Sequence, residues 1–221
     1  MKKVAVITGT TSGIGKAIAE YYRSNYYYVV GINRRDVEVG YPLNRNFVFD
    51  LRGFVDRQNA IGEIRKEFEL IDVLVNNAGV MFLDDFDSLI ETIAVDLHAP
   101  IHICDKLLGS IREGGHIINI ASVSGIVGDT DAPVYSACKA GIINFTRSLA
   151  KLAAPYVRVN CISPGFFKTN LVPGDTPQEL INKIPLNLEA FPEEIIPVVD
   201  MLEKAKYMTG ANVVIDGGVS L

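Results

Sequence analysis

Tyr135 and Lys139 are the residues whose types and spacing suit acid–base chemistry. They stand four apart in Tyr135-Ser136-Ala137-Cys138-Lys139, which reads as the start of a helix reaching about Ala153, and residues at i and i+4 share one helix face. A free phenol titrates near ~10 and is a poor proton donor or acceptor at neutral pH. A cation beside it favours the phenolate and lowers that value. Lysine therefore makes tyrosine a usable general acid or base. The spacing alone says little, because chains of this length carry such pairs by chance, mostly on solvated surface. Its meaning depends on the elements that position it.

The chain has 221 residues, which suits one α/β domain with a sizeable core. Its 48% apolar and 21% charged residues place it among globular and not disordered sequences. A net charge of −5 leaves no electrostatic footprint for nucleic acid. Cys104, Cys138 and Cys161 show no metal or redox spacing and read as small buried residues in a reducing cytoplasm. The first apolar run is too short for a signal peptide, and none reaches membrane-spanning length. His98 and His102 are four apart, but no third ligand accompanies them, so no metal site is expected.

Lys3 to Thr8 reads as a buried strand, and Ile14, Ile18 and Tyr22 put one apolar face on the helix that follows. Between them lies Gly9-Thr10-Thr11-Ser12-Gly13-Ile14-Gly15. Glycines there let the backbone approach a ligand, and the helix N-terminus offers free N–H groups to a phosphate. This predicts the first half of a dinucleotide site; the alternative is an ordinary glycine turn. Tyr26 to Ile32 predicts the second strand, ending at Asn33-Arg34-Arg35. The missing acid at that tip and the two arginines favour NADP over NAD; a solvated loop is the alternative. Phe47 to Phe49 predicts a third strand ending at Asp50, and Val55, Ile61, Ile64 and Phe68 predict an amphipathic helix. Ile71 to Val75 predicts a fourth strand ending at Asn76-Asn77-Ala78-Gly79. Asp87 to Leu108 predicts a long helix with Pro100 as a kink or break, and Gly114-Gly115 a turn into a fifth strand, His116 to Ala121. After the Tyr135 helix come strands at Tyr156–Ile162 and Val213–Ile215, with a helix at Glu193–Lys204. The alternation predicts one Rossmann-like, doubly wound parallel sheet of about seven strands, helices on both faces, in a single domain spanning 1–221.

Over nearly its whole length the chain resembles the short-chain dehydrogenase/reductase family. Thr8-Gly9-x-x-x-Gly13-x-Gly15 is similar to its cofactor turn and Asn76-Asn77-Ala78-Gly79 to its motif after the fourth strand. Ser122 precedes Tyr135 by thirteen positions, the family spacing, and Tyr135-x-x-x-Lys139 completes the active-site set. Pro164-Gly165 with Thr169 resembles the segment beside the nicotinamide. The tail from Tyr207 to Gly218 is also family-like. The resemblance implies that Tyr135 is the general acid/base, that Lys139 holds the nicotinamide ribose and lowers the Tyr135 pKa, and that Ser122, with Ser124 as competitor, bonds the substrate oxygen. It implies that Asp50 contacts adenine with Leu51 beside it, and that Asn77 and Gly79, with Ala78 between, line the adenosine ribose. The expected cofactor is NADP or NAD.

Two departures stand out. Where the family has asparagine on the long helix, in a proton relay to the lysine, this chain has Asp96 within Val95-Asp96-Leu97. Its charge is expected to raise the Lys139 pKa. The loop between strands two and three also lacks the usual helix. The resulting expectation is an NAD(P)-dependent enzyme interconverting a secondary alcohol and a ketone. Its substrate is small, a 3-oxoacyl thioester or a sugar or polyol, under a lid around 166–192. A cofactor-binding sensor with little catalysis is the alternative. A cytoplasmic homodimer or homotetramer, pairing its long helices, is implied by the resemblance.

Overall fold

The computed structural model describes residues 2–37, 42–82, 88–171, 174 and 176–221. Its strands are β1 (Val4–Thr8), β2 (Tyr28–Asn33), β3 (Arg45–Val48), β4 (Ile71–Asn76), β5 (Ile111–Ile120), β6 (Arg158–Pro164) and β7 (Asn212–Ile215). They form one seven-stranded sheet in the order β3-β2-β1-β4-β5-β6-β7, with every pair parallel. Parallel neighbours need crossovers, and the chain supplies helices for them. These are α1 (Gly13–Ser24), α2 (Phe54–Glu67), α3 (Leu89–Ile93), α4 (Ala99–Leu107), α5 (Ser124–Val127), α6 (Pro133–Ala153), α7 (Gln178–Ile181) and α8 (Ile196–Lys204).

Alternate residues of each strand feed opposite faces of the sheet. Val4 and Val6 join Ile61, Ile64, Ile103 and Leu149 in one core, under α2, α4 and α6. Ala5 and Ile7 join Ile18, Tyr22, Val199 and Leu202 in the other, under α1 and α8. Each fully buried aliphatic side chain there contributes about 1.5–3 kcal/mol. The strand order reverses between β1 and β4, so a crevice opens where their carboxyl ends diverge, the usual ligand position in open α/β sheets. Gly9 follows β1 and Asn77 follows β4, so both stand at that crevice.

Several element boundaries differ from the expected ones. Gly114-Gly115 is not a turn before β5 but a bulge within it. Gly114 has φ +80° and donates its N–H to Tyr156 O, so the strand pairs from Ile111 onward. On α2 the buried residues are Arg57, Ala60, Ile61 and Ile64, whereas Val55 is exposed. Arg57 takes the inner position because its guanidinium donates to the carbonyls of Leu51 and Arg52, which end the preceding turn. Pro100 is not the break in the long helix. It sits in the first turn of α4, where a missing N–H costs nothing. The irregularity lies just before it, a π-helical turn over Ala94–His98 that links α3 to α4. The expected start of that helix at Asp87 lies outside the described residues. His98 Nδ1 is 3.0 Å from Arg57 Nη2, and His102 stacks on Phe54, so a guanidinium stands where a metal ion would approach this pair.

Candidate active site

The glycine turn is shaped by its glycines. Gly9 and Gly13 have φ of +73° and +56°, a region L side chains avoid. At Gly15 a Cβ would lie 2.1 Å from Gly9 O, so the turn closes on its own helix. Asn77 braces it from β4: its Nδ2 donates to Thr8 O and Gly9 O, each at 3.0 Å. Thr8 Oγ1 in turn accepts the N–H groups of Asn77 and Ala78 at 2.9 Å. The Asn77 carboxamide N–H groups thus serve the turn itself. Ser12 caps α1 by position, but its hydroxyl makes no bond to the helix. The first N–H groups of α1 therefore have no side-chain cap, and Gly13, Ile14 and Gly15, at the positive end of the helix dipole, border the cavity.

The residues nominated from the sequence, Asp96 excepted, all border one cavity of about 860 Å³. At its β2 end Arg34 and Arg35 are exposed, whereas Asn33 is buried. The Asn33 carboxamide is held internally: its Oδ1 accepts from Thr10 N at 2.7 Å and its Nδ2 donates to Asn46 Oδ1 at 2.7 Å. Thr10 was not nominated from the sequence, and its position inside a glycine turn is the only signal that singles it out. Asp50 borders the cavity as well. Its carboxylate accepts from Arg52 Nε and Nη2 at 2.9 and 2.6 Å, and Arg52 Nη1 reaches Glu91 at 3.0 Å. Arg52 holds the Asp50 carboxyl below its usual range. Arg52, next but one in sequence, borders the same cavity. Thr169 closes the ring, its Cγ2 3.1 Å from where a Gly13 Cβ would stand. Near Pro164 the chain passes so closely under β7 that a Cβ on Gly165 would meet Asp216 Cα at 2.7 Å.

Tyr135 and Lys139 lie on the first turns of α6, with Lys139 Nζ 5.2 Å from the centre of the Tyr135 ring. Ser122, two residues beyond β5, borders the same cavity as Tyr135 and acts to lower its pKa. Ser122 Oγ also accepts the Ser124 N–H at 3.1 Å. Ser124 points instead toward Asp129, its Oγ 3.5 Å from Oδ2. Of the two serines, Ser122 is the one that acts on the Tyr135 pKa. Lys139 donates to Ile120 O at 3.2 Å, and its Nζ is 3.0 Å from Asp96 Oδ1.

The electrostatics depart from the simple expectation that lysine lowers the tyrosine pKa. Tyr135 is 6% exposed, and burial raises its pKa; Lys139 lowers it, but Asp96 opposes Lys139, and the net direction is up. Burial likewise opposes the charge on Lys139, yet Asp96 holds its pKa above the ordinary lysine value, as expected. Burial raises the Asp96 carboxyl, while Lys139 and the Val80 N–H pull it down.

The sequence pattern of the family described as short chain dehydrogenase matches residues 3–180. The chain belongs to this family. Carbonyl reductase family member 4 of Xenopus laevis is 33% identical to this short-chain dehydrogenase over 235 residues, covering 100% of this chain and 99% of that protein. The 3-oxoacyl-[acyl-carrier-protein] reductase of Mus musculus is 31% identical over 240 residues, covering 100% and 99%. Among solved structures, 4-hydroxyisoleucine dehydrogenase complexed with NADH superposes with a TM-score of 0.88 at 28% identity, covering 99% of this chain and 98% of that one. This short-chain dehydrogenase is accordingly an oxidoreductase of the dehydrogenase/reductase type. Among the described residues no helix is long and apolar enough to cross a membrane.

Proposed function

We propose that this protein interconverts a secondary alcohol and a ketone, with Tyr135 as general acid/base and a nicotinamide dinucleotide, NADP before NAD, as partner. The observation that carries the reading is that Ser122, Tyr135 and Lys139 stand together at the wall of the cavity that the glycine turn enters, with Lys139 Nζ 5.2 Å from the Tyr135 ring centre. The turn fits such a cofactor: Gly9, Gly13 and Gly15 allow its tight shape and border the cavity, where the uncapped N-terminus of α1 begins. Gly9, Thr11, Ser12, Gly13, Ile14 and Gly15 would hold the pyrophosphate, and Asp50, Leu51, Asn77, Ala78 and Gly79 the adenosine side. Pro164, Gly165 and Thr169 would stand by the nicotinamide. Arg34 and Arg35, exposed at the β2 end, suit a 2′-phosphate, while Asn33 supports that end through its buried bonds.

When bound, the dinucleotide supplies or accepts the hydride. The chain's own residues handle the proton. Ser122 Oγ and the Tyr135 hydroxyl together donate to the carbonyl oxygen as charge develops on it. The Tyr135 O–H bond then breaks in reduction and re-forms in oxidation. Lys139 stabilises the phenolate that is left and offers its remaining N–H to a ribose hydroxyl. The segment 166–192 serves as the substrate lid, its two ends held together by Lys168 N to Ala190 O at 2.8 Å and Ala190 N to Phe166 O at 3.1 Å. Phe166, Phe167 and Leu171 line the cavity from this side, consistent with a small substrate, a 3-oxoacyl thioester or a polyol. The protein acts as a cytoplasmic homodimer or homotetramer pairing its long helices.

The test is a panel of small ketones, 3-oxoacyl thioesters, sugars and polyols, followed by nicotinamide absorbance with each cofactor, beside direct titration of NADPH and NADH. Turnover of at least one panel member, with NADPH bound more tightly, is the expected result. Cofactor binding with no turnover across the panel would favour a sensor instead.

A further inference from the structure

A buried carboxylate stands where the reaction wants a positive field. Asp96 is 1% exposed, in the π-helical turn Ala94–His98, and its side chain reaches back under the active site. Three features place it. The Val80 N–H donates to Oδ2 at 3.0 Å. Gly79 leaves room, since a Cβ there would lie 2.7 Å from Asp96 Oδ1. Lys139 Nζ lies 3.0 Å from the same oxygen, in ion-pair contact. An ammonium has three donors. The bond to Ile120 O takes one and the contact with Asp96 occupies a second direction, which turns the charge of Lys139 inward.

We propose that Asp96 is a positioning residue that weakens the field of Lys139 at Tyr135, keeping Tyr135 a phenol and so extending the pH range over which the enzyme reduces carbonyls. The inference rests on the reading of Tyr135 as the general acid. In reduction the hydride from the nicotinamide dinucleotide forms the C–H bond. The carbonyl π electrons move to oxygen, and that oxygen takes the Tyr135 proton. The phenolate is reprotonated from solvent. This step needs the phenol at the outset, and oxidation needs the phenolate. Both directions obey one equilibrium constant, so Asp96 cannot favour one over the other at a fixed pH. What it sets is the pH at which the reductive rate begins to fall and the oxidative rate levels off.

The groups that act on Tyr135 come from every side. Lys139, on α6, pulls its pKa down; Asp96 on the π-helical turn and Asp129 on the loop before α6 push it up; Ser122 beyond β5 pulls it down. Cys138, also on α6, feels Asp96 and Lys139 as well, and burial raises its pKa to about 11, so it stays neutral in this range. With Asp96 charged, its push at the phenol opposes the larger pull of Lys139. With an uncharged isostere, Lys139 acts alone.

The experiment compares the wild-type enzyme with Asp96→Asn in two ways. One is reductive kcat/KM from pH 6 to 10 with a ketone from the substrate panel. The other is NMR of unliganded protein labelled with [13Cζ]tyrosine, the Tyr135 signal being assigned by its loss in Tyr135→Phe. A single nearby charge moves a pKa by about one unit or more. Asp96→Asn should therefore shift the alkaline fall of reductive kcat/KM down by about one pH unit, a tenfold loss on that limb. The Tyr135 resonance should titrate correspondingly earlier, while wild-type Tyr135 remains a phenol through pH 9. Coincident profiles and coincident titrations overturn the inference, as does a wild-type phenolate at pH 8, which needs no variant to detect. If no panel member is turned over, the functional reading fails, and the NMR titration still decides the part played by Asp96.

Discussion

Replacing Gly15 by alanine tests the glycine turn, because the structure assigns the added methyl a definite collision. Its Cβ would lie 2.1 Å from Gly9 O, 2.3 Å from Asn77 Nδ2 and 2.9 Å from Gly9 C. The first and third are backbone atoms, and the second is pinned by bonds to Thr8 O and Gly9 O, so no flexible side chain can yield. Relief requires the turn to move away from α1 by about 1 Å, and overpacking of that kind costs about 1–3 kcal/mol. The same movement displaces the N-terminus of α1, which borders the cavity. Gly62 is the internal control. It lies exposed within α2 and nothing stands within 4 Å of its Cβ. Alanine there should stabilise the protein by about 0.5–1 kcal/mol through helix propensity alone. Urea unfolding and NADPH fluorescence titration read both variants. Gly15→Ala should lose about 1–3 kcal/mol of stability and weaken NADPH binding at least ~10-fold, one factor of ten being about 1.4 kcal/mol. Gly62→Ala should gain stability and leave NADPH affinity unchanged. Unaltered NADPH affinity in a folded Gly15→Ala protein would refute the placement of the cofactor on this turn.

His116 should make stability fall in mild acid. It is buried, and desolvation, opposed by Glu203 3.4 Å away, lowers its pKa below the ordinary 6.5. The unfolded chain therefore takes up a proton near pH 6.5 that the folded chain refuses. Stability is full above that pH and declines below it, by up to about 1.4 kcal/mol per pH unit, until the folded imidazole titrates. Thermal unfolding at pH 7.5 and 5.5 should show a smaller acid loss in His116→Gln than in the wild type, and an equal loss would contradict the assignment. Replacing Arg34 and Arg35 together by alanine should raise the NADPH Kd about 10-fold or more, as expected for lost charge-assisted bonds, and leave NADH within about twofold. Equal effects on both cofactors would remove the basis for the NADP preference.

Much of the sheet was legible because its signals are local. Runs of β-branched residues ending in glycine, asparagine or serine mark β1, β4 and β5. Their parallel stacking then brings Gly9, Asn77 and Ser122 to one edge. What was not legible depends on contacts between distant segments. Arg57 breaks the apolar face of α2 because two carbonyls from the preceding turn need donors. Gly114-Gly115 reads as a turn but is a bulge, since β4 continues to pair on its far side. The Asp50 carboxylate is held by Arg52, an interaction no strand pattern announces. The sequence pair Tyr135 and Lys139 suggested a lowered phenol pKa. The fold reverses that direction by burying the ring and bringing Asp96, from 39 residues upstream of Tyr135, against Lys139.

The central claim, that Tyr135 moves the proton, is tested most directly by Tyr135→Phe. The ring and its packing are kept and only the hydroxyl is lost. General acid–base catalysis contributes about 10²–10⁴-fold, so turnover of the best panel substrate should fall by at least ~100-fold while the NADPH Kd stays within about twofold. A folded Tyr135→Phe enzyme that keeps most of its turnover would contradict the account.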